Sequence, residues 1–121
     1  DEPKRIKRER YPLVDRGITE QEALQICYDR GYDFGGLYQI YHRCSCWCCP
    51  FQGIGELRKL RQYHPELWER LREMDKRALA QFGPGPLGQF KKDWTVERLE
   101  QRFAAETQQL SISSLQKERE R

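Results

Sequence analysis

Apolar residues recur along this chain with a helical period in several separate stretches. After Thr19 the segment Ala23, Leu24, Ile26, Cys27 and Tyr28 sets one apolar face, and Gly31 follows as a stop. Thr19-Glu20-Gln21-Glu22 has the form of a capping box: the threonine hydroxyl can accept the Glu22 amide while the glutamate reaches back. The pattern predicts a helix over 20–30. Leu57 and Leu60, separated by charges, predict a helix over 56–63. Pro65 suits the first position of another, running to about Phe82, with Leu67, Trp68, Leu71, Met74, Ala78 and Leu79 as its stripe. Gly83-Pro84-Gly85-Pro86 breaks the chain, and Thr95 can cap a last helix carrying Val96, Leu99, Phe103 and Leu110. Strand signals are weak and no internal repeat is visible, so the fold class is mainly α.

Between these helices the chain reads differently. The stretch 1–18 is a charged lead-in, and Tyr11-Pro12-Leu13-Val14 is expected to be extended, because a residue before proline avoids the helical region. Asp33-Phe34-Gly35-Gly36 is a tight turn before an aromatic segment. The organisation expected is therefore a lead-in over 1–18, a Cys-rich helical region over 19–82, a Gly/Pro loop over 83–94, and a helix over 95–121. The Gln/Ser-rich and then charged tail of that last helix is expected to fray.

Composition adds limits. With 121 residues the chain is the size of one small domain, and a mean hydropathy of −0.97 argues against a large self-contained core. A metal staple helps chains of this kind. The net charge is only +3, with both signs interleaved, which argues against a dedicated nucleic-acid binder. The basic run Lys4, Arg5, Lys7, Arg8 and Arg10 reads first as a solvated linker, and second as the lip of a nucleotide or nucleic-acid channel. No stretch is apolar enough to cross a membrane and no signal peptide is evident, so a reducing cytoplasm is the expected location.

The cysteines carry the candidate chemistry. Cys44, Cys46, Cys48 and Cys49 fall within six residues, and Cys27 lies upstream. An odd count leaves one thiol over in any disulfide framework, and the neighbours Cys48 and Cys49 pair poorly with each other. In a reducing compartment such crowding points to metal. Cys46 and Cys49 form a C-x-x-C pair that can place two thiolates on one cation. Cys27 is the expected third ligand, and Cys48, Cys44 or His42 the fourth. Zinc and a 4Fe-4S cluster both fit four such ligands. The cluster accommodates adjacent cysteines more easily, because each can reach a different iron. Arg43 and Arg58 are candidate donors to the sulfurs. The competing readings are small buried hydrophobes, chiefly for Cys44, and a redox C-x-x-C without the usual strand–turn–helix frame. His42 is expected outside the ligand set, His64 at a helix entry, Trp68 in the core, and Trp47 beside the site or in the core. No Ser/His/Asp or paired-carboxylate arrangement stands out.

Several of these motifs occur together in a known group. Tyr11-Pro12-Leu13, Gly17-Ile18-Thr19-Glu20, Cys27-Tyr28, Gly35-Gly36-Leu37-Tyr38 and Ser45-Cys46-Trp47-Cys48-Cys49-Pro50 resemble the C-terminal part of phosphoadenosine phosphosulfate (PAPS) reductase-like proteins of the PP-loop ATP pyrophosphatase superfamily. The likeness continues through Pro65-Glu66-Leu67-Trp68 and Met74-Asp75-Lys76 to Thr95–Phe103, and so covers roughly residues 1–103. The Cys-Trp-x-Cys element is also similar to one in the iron–sulfur sulfurtransferases of DNA phosphorothioation. The resemblance implies a region that holds a cluster or zinc, with Cys27, Cys46, Cys48 and Cys49 as ligands, beside the nucleotide-binding half of a parent oxidoreductase. That parent would act on an adenylylated or sulfated nucleotide in sulfur or electron transfer. The chain departs from the group in two places. It has no Ser-Gly-Gly-Lys-Asp-Ser-type loop, since Gly35-Gly36 lacks the lysine and serine of a phosphate cradle, and no Glu-Cys-Gly-Leu-His tail. These departures imply a C-terminal piece that does not turn over alone. The alternative from another class is a free-standing zinc-stabilised module that docks a protein or nucleic-acid partner through helices 65–82 and 95–110.

Overall fold

The computed structural model describes residues 9–44 and 46–119, with side chains as far as residue 112. Lys4, Arg5, Lys7, Arg8 and Ser45, singled out above, lie outside the described residues. The chain divides into two compact units, Asp1–Gln39 and Ile40–Arg121. The fold is mainly helical, with no strand among the described residues; a single bridge pairs Lys91 with Trp94.

The first unit opens with a one-turn helix, α1 (Pro12–Asp15), where an extended segment was expected. The restriction before proline holds for Tyr11 alone, which stays outside the helical region (φ −121°, ψ 76°). Pro12 itself is well placed at the first helical position, because its fixed φ matches and it has no amide to satisfy. Helix α2 (Glu20–Asp29) starts on the expected capping box, with Thr19 Oγ1 accepting the Glu22 amide and Glu22 Oε2 accepting the Thr19 amide at 2.8 Å. It ends as Gly31 dictates: at φ 86° the Gly31 amide donates to Tyr28 O and the Tyr32 amide to Cys27 O. A 3₁₀ turn (Phe34–Gly36), capped by Asp33, leads into α3 (Leu37–Ile40). The rings of Tyr28, Phe34 and Tyr38 meet edge to face in sequence, at 6.4 and 5.4 Å. No described residue of this unit is buried, and Leu13, Val14, Ile26, Phe34 and Leu37 are all exposed.

The second unit holds the core. Helices α4 (Ile54–Tyr63) and α5 (Pro65–Phe82) meet at His64, whose carbonyl accepts the Leu67 and Trp68 amides while its own amide closes α4 on Leu60. Helix α6 (Val96–Arg119) runs back along both. Leu57, Leu60, Trp68, Leu71, Val96, Leu99 and Phe103 are the buried apolar residues, with Trp68 and Phe103 at 5.7 Å. As residue numbers rise along α4 and α5, their partners on α6 fall: Arg58 pairs with Glu106, Arg61 with Glu100 and Arg72 with Glu97. This antiparallel ladder fixes the register of α6, although each partly exposed pair contributes at most about 1 kcal/mol. The ladder also reassigns Arg58, expected at the cysteines. Its guanidinium is committed to both Glu106 oxygens and stacks on Phe103.

One position of the expected stripe is displaced by a residue. Met74 is 44% exposed, while Asp75, the next residue, is 6% exposed and faces inward. The stripe of α5 therefore reads Trp68, Leu71 and Asp75. The tail, expected to fray, has a helical backbone as far as Arg119. Gln, Leu, Lys, Glu and Arg, which make up most of that stretch beside three serines, are good helix formers.

Candidate metal centre

The cysteine run is two successive turns. The Cys49 amide donates to Cys46 O at 3.0 Å, and the Gln52 amide to Cys49 O at 3.2 Å. Cys46 O accepts a second hydrogen bond, from Gln52 Nε2. Pro50 ends the first turn, and Gly53 starts α4 in extended conformation. On the core side, Trp47 and Cys48 pack against the buried cluster, and the Arg70 guanidinium lies 5.7 Å from the Trp47 ring. Trp47, half-buried, packs on the edge of the core, one of the two places expected of it.

The turn brings Cys46 and Cys48 together, with their sulfurs 3.4 Å apart. Cys46 is exposed, Cys48 and Cys49 half-buried, and Cys44 and His42 exposed. Cys27 belongs to the first unit, on the last turn of α2. This contact joins a C-x-C pair, Cys46 and Cys48, where spacing favours the C-x-x-C pair Cys46 and Cys49.

The two thiols are chemically unequal. The Cys48 amide, and then the Cys48 thiol, donate to the Cys46 sulfur and hold its pKa below the ordinary value. The same hydrogen bond to Cys46, followed by burial, pushes the Cys48 thiol up. Backbone donors of this kind stabilise a thiolate before any cation arrives.

Two thiolates bound at 2.3 Å to one tetrahedral ion lie about 3.8 Å apart. The Cys46–Cys48 separation is near that figure, so this pair fits half of a thiolate site. Among the described residues, no three His, Cys, Asp or Glu side chains stand together as a complete site. Completing one requires other thiols to close on the pair, as is usual where metal binding is coupled to folding.

Sequence reasoning missed Gln52 and Arg70, whose roles depend on how the turns lie on the core; no local signal marks them. A second cluster lies nearby in the same unit. The Tyr41 ring stacks on His64 at 5.9 Å, and burial, then Glu56, Glu66 and Cys44, raise the Tyr41 pKa. His64 is the helix-entry residue expected. No family model matches the chain, and neither a curated protein nor a solved structure matches it.

Proposed function

We propose that this chain is a cysteine-ligated helical region of a PAPS reductase-like protein, holding an iron–sulfur cluster or zinc through Cys46, Cys48 and Cys49 together with Cys27. The observation that carries the reading is the Cys46–Cys48 pair, two thiols 3.4 Å apart on an ordered turn with a backbone amide aimed at one sulfur. The resemblance of the Cys-Trp-Cys-Cys-Pro run to that group supports the wider assignment. A bound cluster would supply electrons or sulfur to an adenylylated or sulfated nucleotide, whereas zinc would supply only structural closure. The chain's own part is to present preorganised thiolates and to keep one side of them dry. Cys46 offers a thiolate favoured by the hydrogen bonds it accepts from Cys48. Cys48 holds its proton until a cation displaces it, and Trp47 and Arg70 cover the core side. Nucleotide binding falls to a loop that this sequence does not contain.

Metal analysis with an ultraviolet–visible spectrum tests the reading. Iron and sulfide with a band near about 400 nm identify the cluster form. Stoichiometric zinc without colour identifies the structural form. Protein with neither metal refutes the proposal.

A further inference from the structure

Cysteine turns are short and exposed, and something must hold them in one geometry if they are to bind tightly. Here Phe51, at the far end of the run, is 93% exposed. A cation from a distant part of the same unit reaches the run beside it. Lys91 Nζ donates to Pro50 O at 2.5 Å and to Gln52 O at 2.7 Å.

We infer that Lys91 is the positioning residue of the cysteine turn, clamping its C-terminal end from the loop between α5 and α6; as a statement about metal affinity, this rests on the metal-binding reading above. Gln52 is the coupling element. Its carbonyl is held by Lys91, while its side-chain amide holds Cys46 O, so the lysine acts on the residue that closes the turn. Lys91 is itself well anchored. Its amide and carbonyl pair with those of Trp94, and the segment is pinned on either side, because Asp75 accepts the amides of Phe90 and Val96. The cysteine turn is thereby tied to the interior of α5 through a chain of direct hydrogen bonds. The clamp also sets a positive charge beside a site whose bound form is anionic, since four thiolates outweigh a divalent ion. Lysine suits the task because one ammonium can donate to two carbonyls that diverge.

The test uses the full chain and cobalt(II) as the probe, read by thiolate-to-cobalt charge transfer. Lys91→Met keeps the aliphatic stem and removes the donors. It is expected to weaken cobalt binding by about 10- to 100-fold, as loss of an outer-sphere partner does. Lys91→Arg, which restores charge and donors, should recover affinity to within about threefold of the starting protein. Helical content by circular dichroism should be unchanged in both variants. Cobalt affinity in Lys91→Met equal to that of the unsubstituted chain overturns the inference. An unsubstituted chain that shows no cobalt–thiolate band refutes the metal reading instead. The clamp is then read from the alkylation rate of Cys46: faster in Lys91→Met and restored in Lys91→Arg if Lys91 positions the turn, unchanged in Lys91→Met if it does not.

Discussion

The carboxylate of Asp75 accepts the Val96 amide at 2.7 Å, and its other oxygen accepts the Phe90 amide at the same distance. One buried side chain of α5 thus caps the first turn of α6 and fixes the loop that leads into it. The negative charge sits where the dipole of α6 is positive, and Thr95 Oγ1 accepts the Arg98 amide beside it. Replacing Asp75 with Asn keeps the volume but turns one acceptor into a donor that faces an amide. Hydrogen bonds to a buried charge contribute about 1.5–3 kcal/mol each, so the expected loss is about 3 kcal/mol. For a unit of this size that lowers Tm by about 10 °C or more in a thermal melt. A Tm within about 2 °C of the unsubstituted protein would show that the two amides find other partners.

Glu100 performs a similar task between α4, α5 and α6. It accepts two bonds from Arg61, at 2.8 and 2.9 Å, and one from Trp68 Nε1 at 2.6 Å. The Arg61 guanidinium, then the indole donor, hold its carboxyl below its ordinary value of 4.5. A depressed folded pKa gives stability that is fully present above the ordinary value and is lost as pH falls through the folded one. Glu100→Gln should therefore cost about 1–3 kcal/mol near neutral pH. The gap between the two proteins should close on acidification below 4.5. Urea midpoints measured across that range check this, and a gap independent of pH would assign the loss to shape rather than charge.

Cysteine substitutions separate the ligands from their neighbours. Cys46→Ser and Cys48→Ser each remove one member of the 3.4 Å pair and should release metal and lower Tm. Cys49→Ser and Cys27→Ser are expected to do the same. Cys44→Ser, at an exposed position, should do much less. Metal-to-protein ratios across the five variants read this directly, and five equal small effects would defeat a shared site.

Glycines supply a packing test with two signs. At Gly88 an added Cβ would overlap the Gly83 carbonyl and press on Ala78 O, both backbone atoms that cannot swing aside. Gly88→Ala should cost about 1–3 kcal/mol by forcing the 83–90 loop apart. Gly55, inside α4, faces open space. There alanine removes unfolded-state freedom and should add about 0.5–1 kcal/mol. Chemical denaturation of the two variants should move in opposite directions.

What could be read in the sequence was local. The Thr19 box, the Gly31 stop, Pro65 at a helix start and Thr95 at a cap each depend on a few adjacent residues, and each stands where its own chemistry puts it. Trp68, Leu71, Val96, Leu99 and Phe103 follow from period alone. The inward aspartate was half visible: position 75 lies on the same face as Trp68 and Leu71, but a charge there makes sense only once the Phe90 and Val96 amides are known to need it. The Cys46–Cys48 pairing was not visible. Spacing favours C-x-x-C, and which sulfurs meet depends on the path of the turn, which Gln52 and the core set from outside the motif. The helical run to Arg119 was obscured because polar composition looks alike in a frayed tail and in an exposed helix.

That last helix has an uneven interior. Phe103 is its last buried residue among the described side chains, and Leu110 is 73% exposed. One continuous helix of 24 residues, about 36 Å long, therefore carries its buried residues, among the described side chains, in roughly its first two turns. The hydroxyls of Thr107 and Ser111 turn back to carbonyls four residues earlier, a local bond that does not anchor the helix to its neighbours. Opening should thus be graded along α6, costing nearly the full unfolding free energy around Leu99 and less towards Leu110. The same secondary structure spans two regimes of cooperativity, and the boundary lies within one turn of Phe103.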